Sequence, residues 1–154
     1  MKSALSMTTV GLLTTGAASL LAVLTACTRP APDPQTAAAA RVELGRHLVE
    51  QVAMCADCHA PRLPNGQFDR TRWLQGSLLP FAATVPMPWA PVAPSIAGLP
   101  GYNDEQAVLF LTTGRRAAGP TRPPMPEFRF ADEEARAVVA YLRSLTPASP
   151  VAGG

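Results

Sequence analysis

The sequence is poor in lysine, cysteine, histidine and aromatic residues. Lys2 is its one lysine, and thirteen basic side chains stand against eleven acidic ones, for a formal net charge of +2. No run of like charge and no internal repeat is visible. This balance gives no reason to expect nucleic acid as a partner. Three cysteines and two histidines also leave few donors for a metal site.

Proline is abundant, with 17 among the 154 residues. Because proline cannot sit inside helices or central strands, much of the chain must be irregular. The length is that of one domain with a single hydrophobic core.

Residues 1–26 have the pattern of an export signal. Lys2 precedes an uncharged run over residues 8–24, and "LTAC" follows. This resembles the signal peptide of bacterial lipoproteins, in which the cysteine after the cleavage site, here Cys27, is acylated. The alternatives are simple secretion or an uncleaved anchor, since about 17 to 25 apolar residues can span a bilayer. The lipoprotein pattern and the anchor both predict a domain outside the cytoplasm and beside a membrane.

The mature chain divides into three parts. Residues 27–35 contain three prolines and predict an extended tether. Residues 36–146 contain the segments with helical periodicity and are expected to form the folded domain, and residues 147–154 predict a disordered tail.

Three segments predict helices. The first begins near Thr36, a plausible N-cap. The second covers residues 104–113, where Asn103 and Gln106 have capping-box spacing. The third runs from Asp132 to about Leu145 with apolar residues at helical spacing.

A glycine interrupts the apolar face of the first helix. Val42, Gly45, Val49 and Val52 fall on one side. Glycine costs about 1 kcal/mol relative to alanine in a helix, so we expect close contact with another helix at this position.

About forty residues with little periodicity separate the first two helices. A structureless loop of this length is unusual in a compact domain. A large apolar cofactor would give such a loop a surface on which to pack.

The stretch "MCADCHA", residues 54–60, places Cys55, Cys58 and His59 together. A disulfide between residues so near in sequence would constrain little of the chain. A redox dithiol usually accompanies a βαβ pattern, which is missing. Tetrahedral zinc needs a fourth ligand, and only two candidates remain: His47, inside the first helix, and Cys27, which the lipoprotein signal assigns to acylation.

C-x-x-C-H is the attachment signature of c-type haem. Each cysteine sulfur adds across one haem vinyl group, and His59 then becomes the proximal iron ligand. Export supports this interpretation, because bacterial c-type haem is attached outside the cytoplasm. We therefore expect one covalent haem c on Cys55 and Cys58, with Cys27 carrying lipid.

The sixth iron ligand must come from elsewhere in the chain. His/Met ligation is usual in electron-carrying cytochromes c. Met54 precedes Cys55 and belongs to the proximal side. Met87 and Met125 remain, and prolines flank both.

The chain resembles the class I c-type cytochromes, particularly the haem domains of cytochrome subunits that serve bacterial periplasmic dehydrogenases. The resemblance covers residues 36–146 and is carried by "CADCHAPR", "PPMPEF" and "AVVAYLRSL". It implies an all-α fold of three main helices around one haem, here with a long proline-rich loop. It also implies that Met125 is the distal ligand and that Gly45 packs against Tyr141 where the first and last helices cross.

The resemblance implies a membrane-tethered periplasmic carrier of single electrons, not an enzyme. Its donor would be a periplasmic dehydrogenase and its acceptor a respiratory oxidase or another cytochrome. The alternative is a haem enzyme or gas sensor with a displaceable sixth ligand, and a second is a subunit that uses haem only as a scaffold. The sulfur in "PPMPEF" disfavours an open sixth position.

Several side chains have two interpretations. Aromatic residues suit either the haem pocket or ordinary core: Trp73, Trp89 and Tyr102. Arg115 and Arg116 suit haem propionates, a docking partner or solvent. The carbonyl of Pro61 or Pro64 is expected to orient His59 through its other ring nitrogen.

Overall fold

The computed structural model describes residues 32–116 and 118–146. The predicted signal peptide, most of the tether with Cys27, and the tail from residue 147 lie outside the described residues. Within the described ranges, no helix is both long enough and apolar enough to span a bilayer.

The fold is mainly helical, as predicted. Helix α1 spans Pro34–His47 and continues as a π-helical turn over Leu48–Val52. A short helix α2 covers Ala56–His59. The other two main helices are α3, Asp104–Thr113, and α4, Asp132–Ser144. Helix α1 begins at Pro34, two residues before the predicted Thr36. Proline suits the first helical turn, because an N–H group there has no acceptor within the helix and its absence costs no hydrogen bond.

Two pairs of very short antiparallel strands complete the fold. Strands β1 (Ser77–Leu78) and β2 (Val92–Ala93) pair within the long loop. Strands β3 (Arg115–Arg116) and β4 (Gly119–Pro120) form a hairpin directly after α3.

Helix α3 has the predicted caps. The Asn103 side chain accepts a hydrogen bond from the backbone N–H of Gln106 at 2.8 Å, and the Gln106 side chain accepts one from the backbone N–H of Asn103 at 3.0 Å. At the other end Gly114 adopts φ 70° and donates to Phe110 O at 2.7 Å. The left-handed glycine turns the chain out of the helix and into the β3–β4 hairpin.

The close contact predicted for Gly45 lies where α1 crosses α4. A Cβ atom on Gly45 would stand 1.9 Å from the Ala137 carbonyl oxygen and 2.8 Å from Tyr141 Cβ. No side chain fits in that space, so the helix tolerates a glycine here. The expected packing of Gly45 against Tyr141 is confirmed.

Tyr141 also connects this crossing to the long loop. Its hydroxyl donates to Glu50 Oε1 at 2.5 Å and accepts a hydrogen bond from Trp73 Nε1 at 3.1 Å. The Arg70 guanidinium lies over the Trp73 ring, 3.8 Å from its centroid. Burial, with the hydrogen bond to Glu50, raises the pKa of Tyr141 to about 12.

Backbone hydrogen bonds give the long loop a definite path. Gly76 N donates to His59 O at 2.8 Å, and Ile96 N and Ala97 N both donate to Leu74 O. Leu74 is fully buried. Gly98 N donates to Leu142 O of α4 at 2.8 Å, so both ends of the loop are held to the helical core.

We predict that Gly45→Ala lowers the free energy of unfolding by about 1–3 kcal/mol, because the new methyl group overpacks the crossing. Denaturant unfolding followed by circular dichroism measures this. Helix propensity alone would change the stability in the opposite direction, by about 1 kcal/mol. The stability lost in Ala39→Gly, on the exposed face of α1, measures the difference in helix propensity between alanine and glycine in this helix. A Gly45→Ala protein as stable as the parent would contradict the packing argument.

A second prediction concerns alkaline pH. The folded state favours the neutral Tyr141 phenol, so its contribution to stability is complete below the ordinary pKa of 10.0 and declines as the pH rises to about 12. Tyrosinate absorbance is titrated in the parent and in Tyr141→Phe, and the curve of the variant is subtracted from that of the parent. The difference, which reports Tyr141 alone, should have its midpoint near 12. A difference curve centred at the ordinary value would show that the hydroxyl is not held as described.

Candidate haem site

A cavity of about 520 Å³ lies between the CADCH turn, helices α3 and α4, and the loops on either side of α3. That size falls in the range of about 300–1,000 Å³ found for cofactor sites. Most of its wall is apolar and includes the following side chains: Leu79, Val92, Ile96, Leu99, Phe110, Leu111, Phe128, Phe130, Val138 and Leu142.

The predicted attachment residues occupy one part of this wall. His59 N donates to Cys55 O at 2.9 Å, so the segment makes one helical turn. Positions three and four apart share a face of a helix, and Cys55, Cys58 and His59 all line the cavity. The sequence spacing therefore brings two sulfurs and one imidazole to a single surface.

The two thiols at this turn favour their neutral form. Burial raises the pKa of Cys55 to about 11 and also raises the pKa of Cys58. Redox-active cysteines, by contrast, usually have a lowered thiol pKa. An uncharged product such as a thioether suits this environment better than a thiolate.

His59 is oriented by a carbonyl from far along the chain. Its Nδ1 lies 2.7 Å from Pro94 O. Because a carbonyl only accepts, Nδ1 carries the proton and Nε2 keeps a free lone pair for a metal. Burial lowers the pKa of His59, which favours the same neutral form.

The expected role of Pro61 or Pro64 in this hydrogen bond is wrong. Pro61 O accepts instead from Asp69 N at 2.8 Å. The loop reverses through β1 and β2 and returns Pro94 beneath the imidazole, 35 residues after it. Nearness in sequence was a poor guide, because the intervening segment folds outward.

Among the methionines considered, Met125 joins the wall from a separate segment. It lines the cavity with Pro124 and Pro126, whereas Met87 does not line it and is 43% exposed. Met54 lines the cavity beside Cys55, as expected from its position in the sequence. Pro123 O accepts a hydrogen bond from Ala90 N at 2.8 Å, which ties the loop of Met125 to the long loop.

The polar candidates separate into different roles. Tyr102 lines the cavity, while Trp73 is hydrogen-bonded to Tyr141 and does not line it. Trp89 is also outside the lining; its indole N–H is buried and has no partner within the described part of the chain. Arg116 lines the cavity and Arg115 does not.

Arg122 is a lining residue that sequence reasoning missed. Its position three residues before Met125 was the available signal. Together with Arg116 it adds positive charge to a wall that is otherwise mostly apolar. This combination fits haem c, whose macrocycle is apolar and whose propionates are anionic.

The cytochrome c family model matches residues 42–146. The chain is 29% identical over 119 residues to the fructose dehydrogenase cytochrome subunit of Gluconobacter japonicus, covering 71% of this chain and 23% of that protein. It is 30% identical over 110 residues to a diheme cytochrome c-type protein of Cereibacter sphaeroides, covering 66% of this chain and 34% of that protein. The match thus spans about a quarter to a third of these relatives' length.

Proposed function

Because this chain belongs to the cytochrome c family, we propose that it is a periplasmic monohaem electron carrier held at a bacterial membrane by lipid on Cys27. The family binds covalently attached haem c and has a role in electron transfer. The haem supplies a reversible one-electron couple between ferrous and ferric iron. The chain's own residues attach it, ligate it and set its potential.

One observation carries the proposal: a single cavity receives Cys55, Cys58 and His59 from the CADCH turn and Met125 from the loop before α4. We assign the cysteines to the two thioether bonds, His59 to the proximal position and Met125 to the distal one. A thioether ligand favours ferrous iron and raises the reduction potential. The apolar wall acts in the same direction, because it disfavours the additional charge of the ferric state.

The loop that presents Met125 favours a carrier over a haem enzyme. Pro123, Pro124 and Pro126 restrict its backbone, and the hydrogen bond to Ala90 fixes it from outside. A restricted loop loses little entropy when its sulfur binds. A peroxidase-like protein or gas sensor would need this position open.

The relatives support a partner class. One of them is named as a cytochrome subunit of fructose dehydrogenase. We therefore propose a periplasmic dehydrogenase as donor and a respiratory oxidase or another cytochrome as acceptor. The chemistry on the substrate would belong to the dehydrogenase.

We predict that Met125→Ala keeps its covalent haem, has a lower reduction potential, and binds cyanide or carbon monoxide at the freed iron position. The weak red absorption band of ferric iron bound to methionine sulfur should vanish. Redox titration and absorption spectroscopy measure these changes, and denaturing mass spectrometry measures haem retention.

Met87→Ala is the matched control, because that sulfur lies outside the cavity wall. Its red band and potential should equal those of the parent. If the band were lost in Met87→Ala and kept in Met125→Ala, the ligand assignment would be wrong. Carbon monoxide binding by the unaltered reduced protein would favour the sensor or enzyme instead.

The lipid anchor has its own test. Cys27→Ser should release the protein from membranes or stall its processing, because the acylated cysteine supplies the hydrocarbon that holds it. Fractionation with mass spectrometry of the N-terminus measures both outcomes. A Cys27→Ser protein that lost its signal and still pelleted fully with membranes would rule out lipid as the anchor.

A further inference from the structure

The long loop carries a concentration of exposed apolar side chains. Residues 73–103 contain no Asp, Glu, Lys or Arg. Ten large apolar side chains are exposed in the part of the chain that the structure describes, and half of them lie within residues 78–92. These five form what we call the apolar loop face: Leu78, Phe81, Val85, Met87 and Val92. A concentration of exposed apolar side chains on a folded domain indicates an interaction site.

The apolar loop face rests on ordered backbone. Leu78 and Val92 are directly opposite each other in the β1–β2 register. The Phe81 and Trp89 rings meet edge to face, with centroids 5.9 Å apart. These contacts hold the exposed side chains without burying them, since Leu78 remains 77% exposed and Val85 63%.

The same segment forms part of the cavity wall. Leu79, Ala90 and Val92 line the cavity from this loop. A protein seated on the apolar loop face is therefore separated from the cavity only by the thickness of this segment. That closeness suits electron exchange, which requires the two redox centres to approach.

Three arginines follow α3 in the segment that leads to Met125. Residues 106–126 contain Arg115, Arg116 and Arg122 and no acidic residue. Seven other arginines of residues 32–116 and 118–146 have a carboxylate within ion-pair distance, whereas these three have none among the described carboxylates. Arg116 and Arg122 line the same cavity as the long loop. We call these three residues the basic rim.

We propose that the apolar loop face and the basic rim together form the docking surface for the redox protein that exchanges electrons with this chain. The proposal rests on the proposed function. An uncharged centre beside guanidinium groups that have no described carboxylate partner is complementary to an apolar patch bordered by carboxylates. We assign the occupant to a protein of that chemistry, because a lipid surface covering this wall would block the route by which one electron enters or leaves.

A gold electrode bearing a mixed monolayer of methyl-ended and carboxylate-ended alkanethiols reproduces that chemistry. All proteins carry Cys27→Ser, so that lipid does not contribute to adsorption. Leu78→Ser/Val85→Ser should raise the half-saturating concentration for electroactive binding about tenfold, because two exposed side chains lose apolar contact. Arg115→Gln should raise it about threefold at low salt, and this effect should disappear at high salt. None of these three residues lines the cavity.

Matched controls lie elsewhere on the surface. Leu44→Ser/Leu109→Ser removes two exposed apolar side chains from α1 and α3, and Arg41→Gln removes a charge from α1; neither should change binding. Equal losses in these controls would overturn the proposal. So would adsorption of the parent without electron transfer.

Flotation with phosphatidylglycerol vesicles tests the lipid alternative. Binding of the parent that Leu78→Ser/Val85→Ser abolishes would show a membrane-facing surface and overturn the proposal, whereas absence of binding supports it. The haem spectrum and the reduction potential of each variant report separately on the cytochrome itself. An intact His/Met spectrum with unchanged electrode binding would therefore refute the docking surface and leave the proposed function standing.

Discussion

The crossing of α1 and α4 at Gly45 is the contact on which the rest of the structure depends. Helix α1 leads through its π-helical turn directly into Cys55–His59, and α4 begins seven residues after Met125. The distance between the two helix axes therefore helps to set the distance between the two groups of proposed iron ligands. Because a Cβ at Gly45 would lie 1.9 Å from a backbone oxygen, any other residue would widen the crossing and the cavity with it.

Around that crossing the long loop is held by polar groups while its apolar residues form the wall. Trp73 donates to Tyr141, Pro94 accepts from His59, and Ala90 donates to Pro123. Each hydrogen bond satisfies a group that would be costly to leave unpaired in a partly buried position. A cofactor is therefore not needed to explain where the loop runs, but it explains why so apolar an inner surface encloses a space.

Features that depend on near neighbours were predictable from the sequence. The C-x-x-C-H spacing specifies one helical turn, the Asn103–Gln106 pair specifies a cap, and Gly45 signals a close helix contact. Pairings across long loops were not predictable. Pro94 lies 35 residues from His59, and Trp73 lies 68 residues from Tyr141. Apolar periodicity does not indicate which residues make contact across such separations, because many loop paths are compatible with the same composition.

The electrostatic arrangement of the site follows from the same folding. Burial raises the pKa of Cys55 and lowers that of His59, so both groups are neutral at neutral pH before any cofactor is attached. A thioether formed from the neutral thiol, and a neutral imidazole that bound iron through Nε2, would add no charge to the wall. The positive charges stand at Arg116 and Arg122, which are exposed residues of that wall. Charge is thus kept at the solvent side, where anionic propionates or a partner's carboxylates can meet it, while the apolar interior would favour the ferrous state of a bound haem.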